Sequence, residues 1–303
     1  MTPVFNEHLR LCGYYMNKAY MQNMLLFVPI AILLGNMSFF MDIFDVNPEV
    51  SNLAQHFIWG TLPHVLFTAL FEIHKVQLIC YQKSFTQMLA QAAGTICHIP
   101  FLLKLIELLP DNPVLAIALA TSASSLFKLI VISFIGLLHE DVRKSKTPFF
   151  TWKTFRAADS SSGFSKIEIP NLIMFITEGW TFQSLVLFSS FFSVEELAAQ
   201  AFCTTISTSL FMISKGLSDA SSSLIGNSMG NPDMHYGTTR AWRFASIISM
   251  TTIVYAMTAL ITLIFFTNEI ISMMFVQNSK VKELTHEIMP IVFISFVMES
   301  MQL

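Results

Sequence analysis

Apolar residues gather along this chain in eight stretches, at roughly 24–44, 57–80, 86–109, 113–138, 170–192, 198–224, 244–267 and 284–303. Each comes near the ~20 residues that a helix needs to cross a hydrocarbon core of ~30 Å. The pattern therefore predicts an all-α polytopic membrane protein with about eight transmembrane helices. The sixth and eighth stretches are less apolar, so their edges are soft. The connectors are short, apart from residues 139–169, which are charged, Ser-rich and contain Pro148. That segment reads as a linker between an N-terminal part, 1–138, and a C-terminal part, 170–303.

Composition points the same way. Of the 303 residues 53% are hydrophobic and 12% charged, about half the charge of a soluble domain. Mean hydropathy is +0.59, so the lipid bilayer is the expected surrounding. A formal net charge of −3 lacks the basic surface that a nucleic-acid partner requires. The cysteines Cys12, Cys80, Cys97 and Cys203 are scattered, with no CxxC pair and no metal-ligand spacing. Residues 1–22 are polar and have no apolar core of a cleavable signal peptide. An enzyme is not expected, because no metal cluster, nucleophile–base pair or phosphate-binding glycine loop is present. No cofactor is implied, and the pattern carries no signal for an oligomeric state.

Lysine and arginine orient the spans. One set of alternate loops and ends holds Arg10, Lys18, Lys75, Lys83, Arg143, Lys144, Lys146, Lys153, Arg156, Lys166, Arg240 and Arg243. The opposite set holds Lys104, Lys280 and Lys282. This asymmetry places both chain ends and the 139–169 linker in the cytoplasm. It does not distinguish a plasma membrane from a vacuolar-type one.

Two in-order matches suggest a parallel internal repeat, as in many transporters. Phe44, Asn47 and Val50 match Phe275, Asn278 and Val281 at an offset of 231. Pro63 and Glu72 match Pro290 and Glu299 at an offset of 227. The drop of four residues is one helical turn deleted from a loop or a helix start.

"IPNLIMFITEGWTFQSLVLFSSFF" (169–192) resembles the seventh helix of the multidrug and toxic compound extrusion (MATE) transporters of the MOP superfamily. "FMISKGLSDASSSLIGNSMGN" (211–231) is similar to their eighth helix and the GN-x-x-G turn after it, here Gly226, Asn227 and Gly230. "CHIPF" (97–101) resembles part of the fifth helix in the eukaryotic branch. "LCGYYMNKAY" (11–20) looks like the loop before the third helix, and "NPEV" (47–50) like the turn after it. The resemblance covers nearly the whole chain in order. It implies a fold of two related lobes, of which the third to tenth of twelve helices are represented here. The first two and last two would be missing, as in a partial gene model or a degenerate copy.

Glu178 is the one formal charge in its span. An ionised acid at mid-membrane costs about 2.5–3.5 kcal/mol, so it should face a bundle interior or a wet cavity. It lies eight residues past Pro170, ~12 Å into the membrane at ~1.5 Å per residue. It is a coupling or substrate-binding carboxyl, or else a structural acid hydrogen-bonded to a neighbouring helix. It falls on the acid of the family's seventh-helix motif, which favours the first. Gln183 stands where the family often carries a second acid. Glu299, in "FVMESMQ", resembles the tenth-helix acid and should share a depth with Glu178. Trp180 is a candidate cation–π face for flat cations, or a lipid-facing ring. Lys215 and Asp219, four apart, are expected to pair along one helix. Glu72 reads as structural or vestibular, His98 as a hydrogen-bonded helix contact, and Lys128 has no evident partner.

The resemblance implies a secondary active exporter of organic cations or other xenobiotics, coupled to H+ or Na+, working by alternating access. Two other classes compete: a non-transporting fragment of such a protein, and a polytopic receptor.

Overall fold

The computed structural model describes residues 3–43, 48–148, 161–189, 192–230, 233–274 and 279–302. Among them the regular structure is entirely helical: α1 Pro3–Gly35, α2 Met37–Ile43, α3 Pro48–Cys80, α4 Ser84–Leu108, α5 Pro113–Leu138, α6 Glu140–Ser145, α7 Ser161–Ser189, α8 Val194–Met229, α9 Met234–Met274 and α10 Ser279–Gln302. Among the described residues each apolar stretch after the first lies on one long helix. Five helices among the described residues, α1, α4, α5, α8 and α9, are long and apolar enough to cross a membrane over most of their length. Of the two stretches with soft edges, the one on α8 meets that test and the one on α10 does not. The chain divides into two compact units, Met1–Ser162 and Gly163–Leu303.

Several boundaries differ from the sequence pattern. Residues 11–20 are not a loop but part of α1. Their polar groups are used inside the unit: Asn17 Nδ2 donates to Thr147 O and Oγ1 at 3.2 and 3.0 Å. The stretch 24–44 is not one span, because the helix breaks at Gly35–Asn36. Gln55, buried on α3, repairs the break. Its Nε2 donates to Gly35 O at 3.0 Å, and its Oε1 accepts from Ser38 N at 2.7 Å. Backbone groups released by a helix break in a membrane need such partners.

The 139–169 segment is not linker throughout, since it holds α6 and the first turns of α7. Pro170 opens the apolar stretch 170–192, and at a helix start its missing N–H would cost nothing. It lies inside α7 instead, and a membrane helix tolerates that when neighbouring groups take up the released carbonyl. On α6, Lys144 Nζ sits 2.6 Å from Glu140. That hydrogen bond holds the exposed Glu140 carboxyl below its usual range.

Unit 1 is built on α3 and α5, with α4 against α5 and α1 against α3. The seam is lined with small residues. Ala116, Ala118, Ala120 and Ser122 of α5 are buried, and Ser122 Oγ donates to Gly60 O at 2.5 Å. A Cβ on Gly60 would come 2.6 Å from that of Ala118. Small residues permit this approach, because dispersion and close contact hold helices together where lipid removes the hydrophobic drive. In unit 2, α8 packs on α9 and α10, which also pack on each other. Phe202, Cys203, Leu263, Met289 and Val292 form the core there. Ser193 and Glu196 make a reciprocal capping box at the start of α8, worth about 1 kcal/mol.

The second pair of repeat partners occupies like positions: Pro63 lies inside α3 and Pro290 inside α10, each with its matched acid, Glu72 or Glu299, nine residues further on. The two halves of the repeat pack alike, α1 on α3 and α9 on α10.

Candidate functional site

Helix α10 carries Glu299 nine residues after Pro290. Its side chain is half-buried, and one carboxyl oxygen is shut off from solvent. The next residue, Ser300, is fully buried and shares a 3.2 Å hydrogen bond with Ser214 Oγ on α8. Tyr255 of α9 meets Phe296 edge to face at 5.9 Å and donates from its hydroxyl to Leu210 O at 2.9 Å. Three helices thus hold the wall in which Glu299 is set.

Ser300, not Glu299, lines a cavity of about 170 Å³, together with Ser214, Ser218 and Ser221 of α8 and Ser249 and Thr252 of α9. Six hydroxyls around one space can solvate a cation or a proton carrier with oxygen ligands. Sequence reasoning missed this group. Its signal was present in the spacing 214, 218, 221, which puts three serines on one helical face.

Lys215 and Asp219 form an ion pair of 3.2 Å along α8, each about one third exposed. Pairing spares the membrane two separate charges. Gly226 and Asn227 belong to the last turn of α8, where Asn227 Nδ2 donates to Ser223 O at 2.9 Å. The expected turn is therefore shorter than the motif suggests. Gly230 alone caps the helix, its N–H reaching Gly226 O at 3.1 Å.

Glu178 lies in α7, 17 residues from its start, ~26 Å along the axis. It is deeper in its helix than a start at Pro170 implied. Its side chain lies outside the described residues. Trp180 is 74% exposed and Gln183 is exposed too. Within unit 2, α7 makes no extensive contact with another helix among the described residues. It leaves Leu172, Ile173, Ile176 and Leu185 uncovered. Among the described residues α7 and α10 share no extensive contact, and the Glu178 side chain is not one of those described.

In unit 1, Glu72 pairs with Lys75 at 3.0 Å, and His98 Nδ1 meets Ser124 Oγ at 3.0 Å across α4 and α5. Lys128, unassigned from sequence, rests its stem against Gly94 and its ammonium 4.9 Å from the Phe71 ring centre. That cation–π contact crosses from α5 to α3. Among the described residues no three His, Cys, Asp or Glu side chains stand together as metal ligands.

Residues 170–303 match the family model described as MatE, a segment that holds α8, α9, α10 and both acids. This C-terminal segment is similar to the MatE family. Multidrug and toxin extrusion protein 1 of Homo sapiens is 22% identical over 302 residues, 98% of this chain and 50% of its own length. Protein DETOXIFICATION 37 of Arabidopsis thaliana is 25% identical over 260 residues, 84% of this chain and 49% of its own. The crystal structure of the eukaryotic MATE transporter AtDTX14 superposes with a TM-score of 0.77 at 17% identity, covering 98% of this chain and 64% of that one. The MATE fold thus extends across both units. The chain spans about half the length of the curated relatives it matches. With five long apolar helices and this fold, it is an integral, multi-pass membrane protein.

Proposed function

We propose that this chain works in the export of organic cations or other xenobiotics, as a proton- or sodium-coupled antiporter with alternating access. The observation that carries the reading is the MatE segment itself, which contains Glu178 and Glu299 on helices of a MATE fold. Glu299, half-buried and next in sequence to the cavity-lining Ser300, suits a carboxyl that alternates between a coupling ion and a cation. Proteoliposomes holding the chain and loaded with labelled tetraethylammonium test this. A pH gradient should drive efflux, and Glu299→Gln should remove it. A sodium gradient tested alone separates the two ions. Efflux indifferent to both gradients would refute the coupling. One observation favours the non-transporting reading: the uncovered apolar surface of α7, which lipid or further protein has to cover. On that reading parent and variant alike would show no gradient-driven efflux.

The proposed orientation puts both ends and the 139–169 linker in the cytoplasm, on the distribution of Lys and Arg. A single cysteine at Ser160 in a Cys-free background should resist an impermeant thiol reagent applied to intact cells. Labelling from outside would overturn the topology.

A further inference from the structure

The hydroxyl-lined cavity of unit 2 has a closed end and an open one. At the closed end Ser214 and Ser300, 1% and 3% exposed, share their hydrogen bond. Beyond them Phe296 is fully buried against Tyr255, whose hydroxyl is tied to Leu210 O. Leu210 lies one turn before Ser214 on α8, so these contacts plug the cavity on that side. On the other side Ser221 is half-buried and Ser249 exposed, and the space opens there.

In the proposed orientation α8 and α10 run toward the cytoplasm and α9 away from it. Ser221 is three residues from the end of its apolar stretch, and Ser249 five from the start of its own. Those are ~5 and ~8 Å along the helix axes. The open end therefore lies near the cytoplasmic boundary of the membrane. From there the lining runs ~10 Å inward to Ser214, which touches Ser300, the residue after Glu299.

The lining is polar but uncharged, with only Ser, Thr, Ile and Ala contributing. Thr252 Oγ1 spends its proton on Ile248 O at 3.0 Å, so it turns lone pairs to the space. Thr251, Thr258 and Thr262, exposed elsewhere on α9, likewise bond back to the preceding turn. Ser218, Ser221 and Ser249 make no such bond among the described residues. A hydroxyl left so is costly against lipid and costs little against water. About 170 Å³ admits several waters, but falls short of the ~300 Å³ or more usual for a drug-sized ligand.

We propose that this cavity is a hydrated half-channel, by which a small cation, hydronium or Na+, passes between the cytoplasm and the wall that carries Glu299. Hydroxyl oxygens and water solvate the ion, the Tyr255–Phe296 contact closes the far end, and the organic substrate does not enter. The inference rests on the transport reading and its topology.

Single cysteines at Ser218, Ser221 and Ser249 in a Cys-free full chain test it with Ag+, a cation close to Na+ in size. Membrane vesicles of either orientation meet Ag+ in chloride-free buffer. Thiols left over are then labelled with a fluorescent maleimide after denaturation. Cytoplasmic Ag+ should block all three cysteines, and Ag+ from outside should block none. Met250→Cys, beside Ser249 but 69% exposed on the apolar surface, should keep full labelling from either side. So should Met289→Cys, in the core beyond Phe296. Monodisperse elution reports folding, and each of the three positions is read independently. Labelling preserved at all three, or block no greater than at Met250→Cys, overturns the channel. Block from outside overturns its closed end. Ser221→Leu, which narrows the mouth, should slow gradient-driven efflux severalfold, and unchanged efflux in the folded variant overturns the ion's route. Absence of efflux from the parent defeats the transport reading alone, because the Ag+ result does not depend on it.

Discussion

Glu178→Gln is expected to reduce pH-driven cation export to background while leaving insertion and expression intact. Glutamine keeps the shape of a protonated glutamate and removes its charge. An ionised acid at mid-membrane costs about 2.5–3.5 kcal/mol by insertion scales, whereas a neutral one costs far less. An antiporter can exploit that difference, because the charged form attracts a cation and the protonated form releases it. Proton and substrate then compete for one carboxyl, and a permanently neutral side chain cannot take part. The assay is the same proteoliposome efflux, in the chain alone and in a chain completed with helices from a full-length relative. If the variant exports as well as the parent, coupling resides elsewhere, and Glu299 is the next residue to change. If neither completed protein exports, the transport reading itself fails.

The second large effect is structural. Gly60→Val should destabilise unit 1 by about 1–3 kcal/mol, the usual range for overpacking. The first added carbon would lie 2.6 Å from Ala118 Cβ and 3.1 Å from Leu115 Cδ1. The backbone on both sides belongs to long helices, so neither side can yield cheaply. The shift would also strain the Ser122 bond to Gly60 O, which crosses the same seam. Thermal unfolding in detergent reads the loss, and Ala118→Gly should restore part of it in the double variant. Gly216→Ala is the control. Its Cβ would meet nothing within 4 Å, so it should be neutral or slightly stabilising, as alanine in a helix interior usually is. An unchanged melting temperature for Gly60→Val would mean that the helices do not approach this closely.

What the sequence determined by itself is local or periodic. The limits of α5, 113–138, coincide with the apolar stretch, because Pro113 begins it and the chain turns polar at His139. Lys215 and Asp219 meet because four residues make about one helical turn. The repeat was legible as well, since matched residues at offsets of 231 and 227 need no knowledge of packing.

The tertiary structure decided whatever joins residues far apart in the chain. Gln55 sustains the break after Gly35 from twenty residues away, so hydropathy alone could not show that 24–44 is two helices. Lys128 finds Phe71, and the serines of α8 find those of α9 and α10, only once the helices are side by side. A residue pattern records which face of a helix is polar. Which polar face meets which depends on the close approach of backbones, and here glycine, alanine and serine permit it.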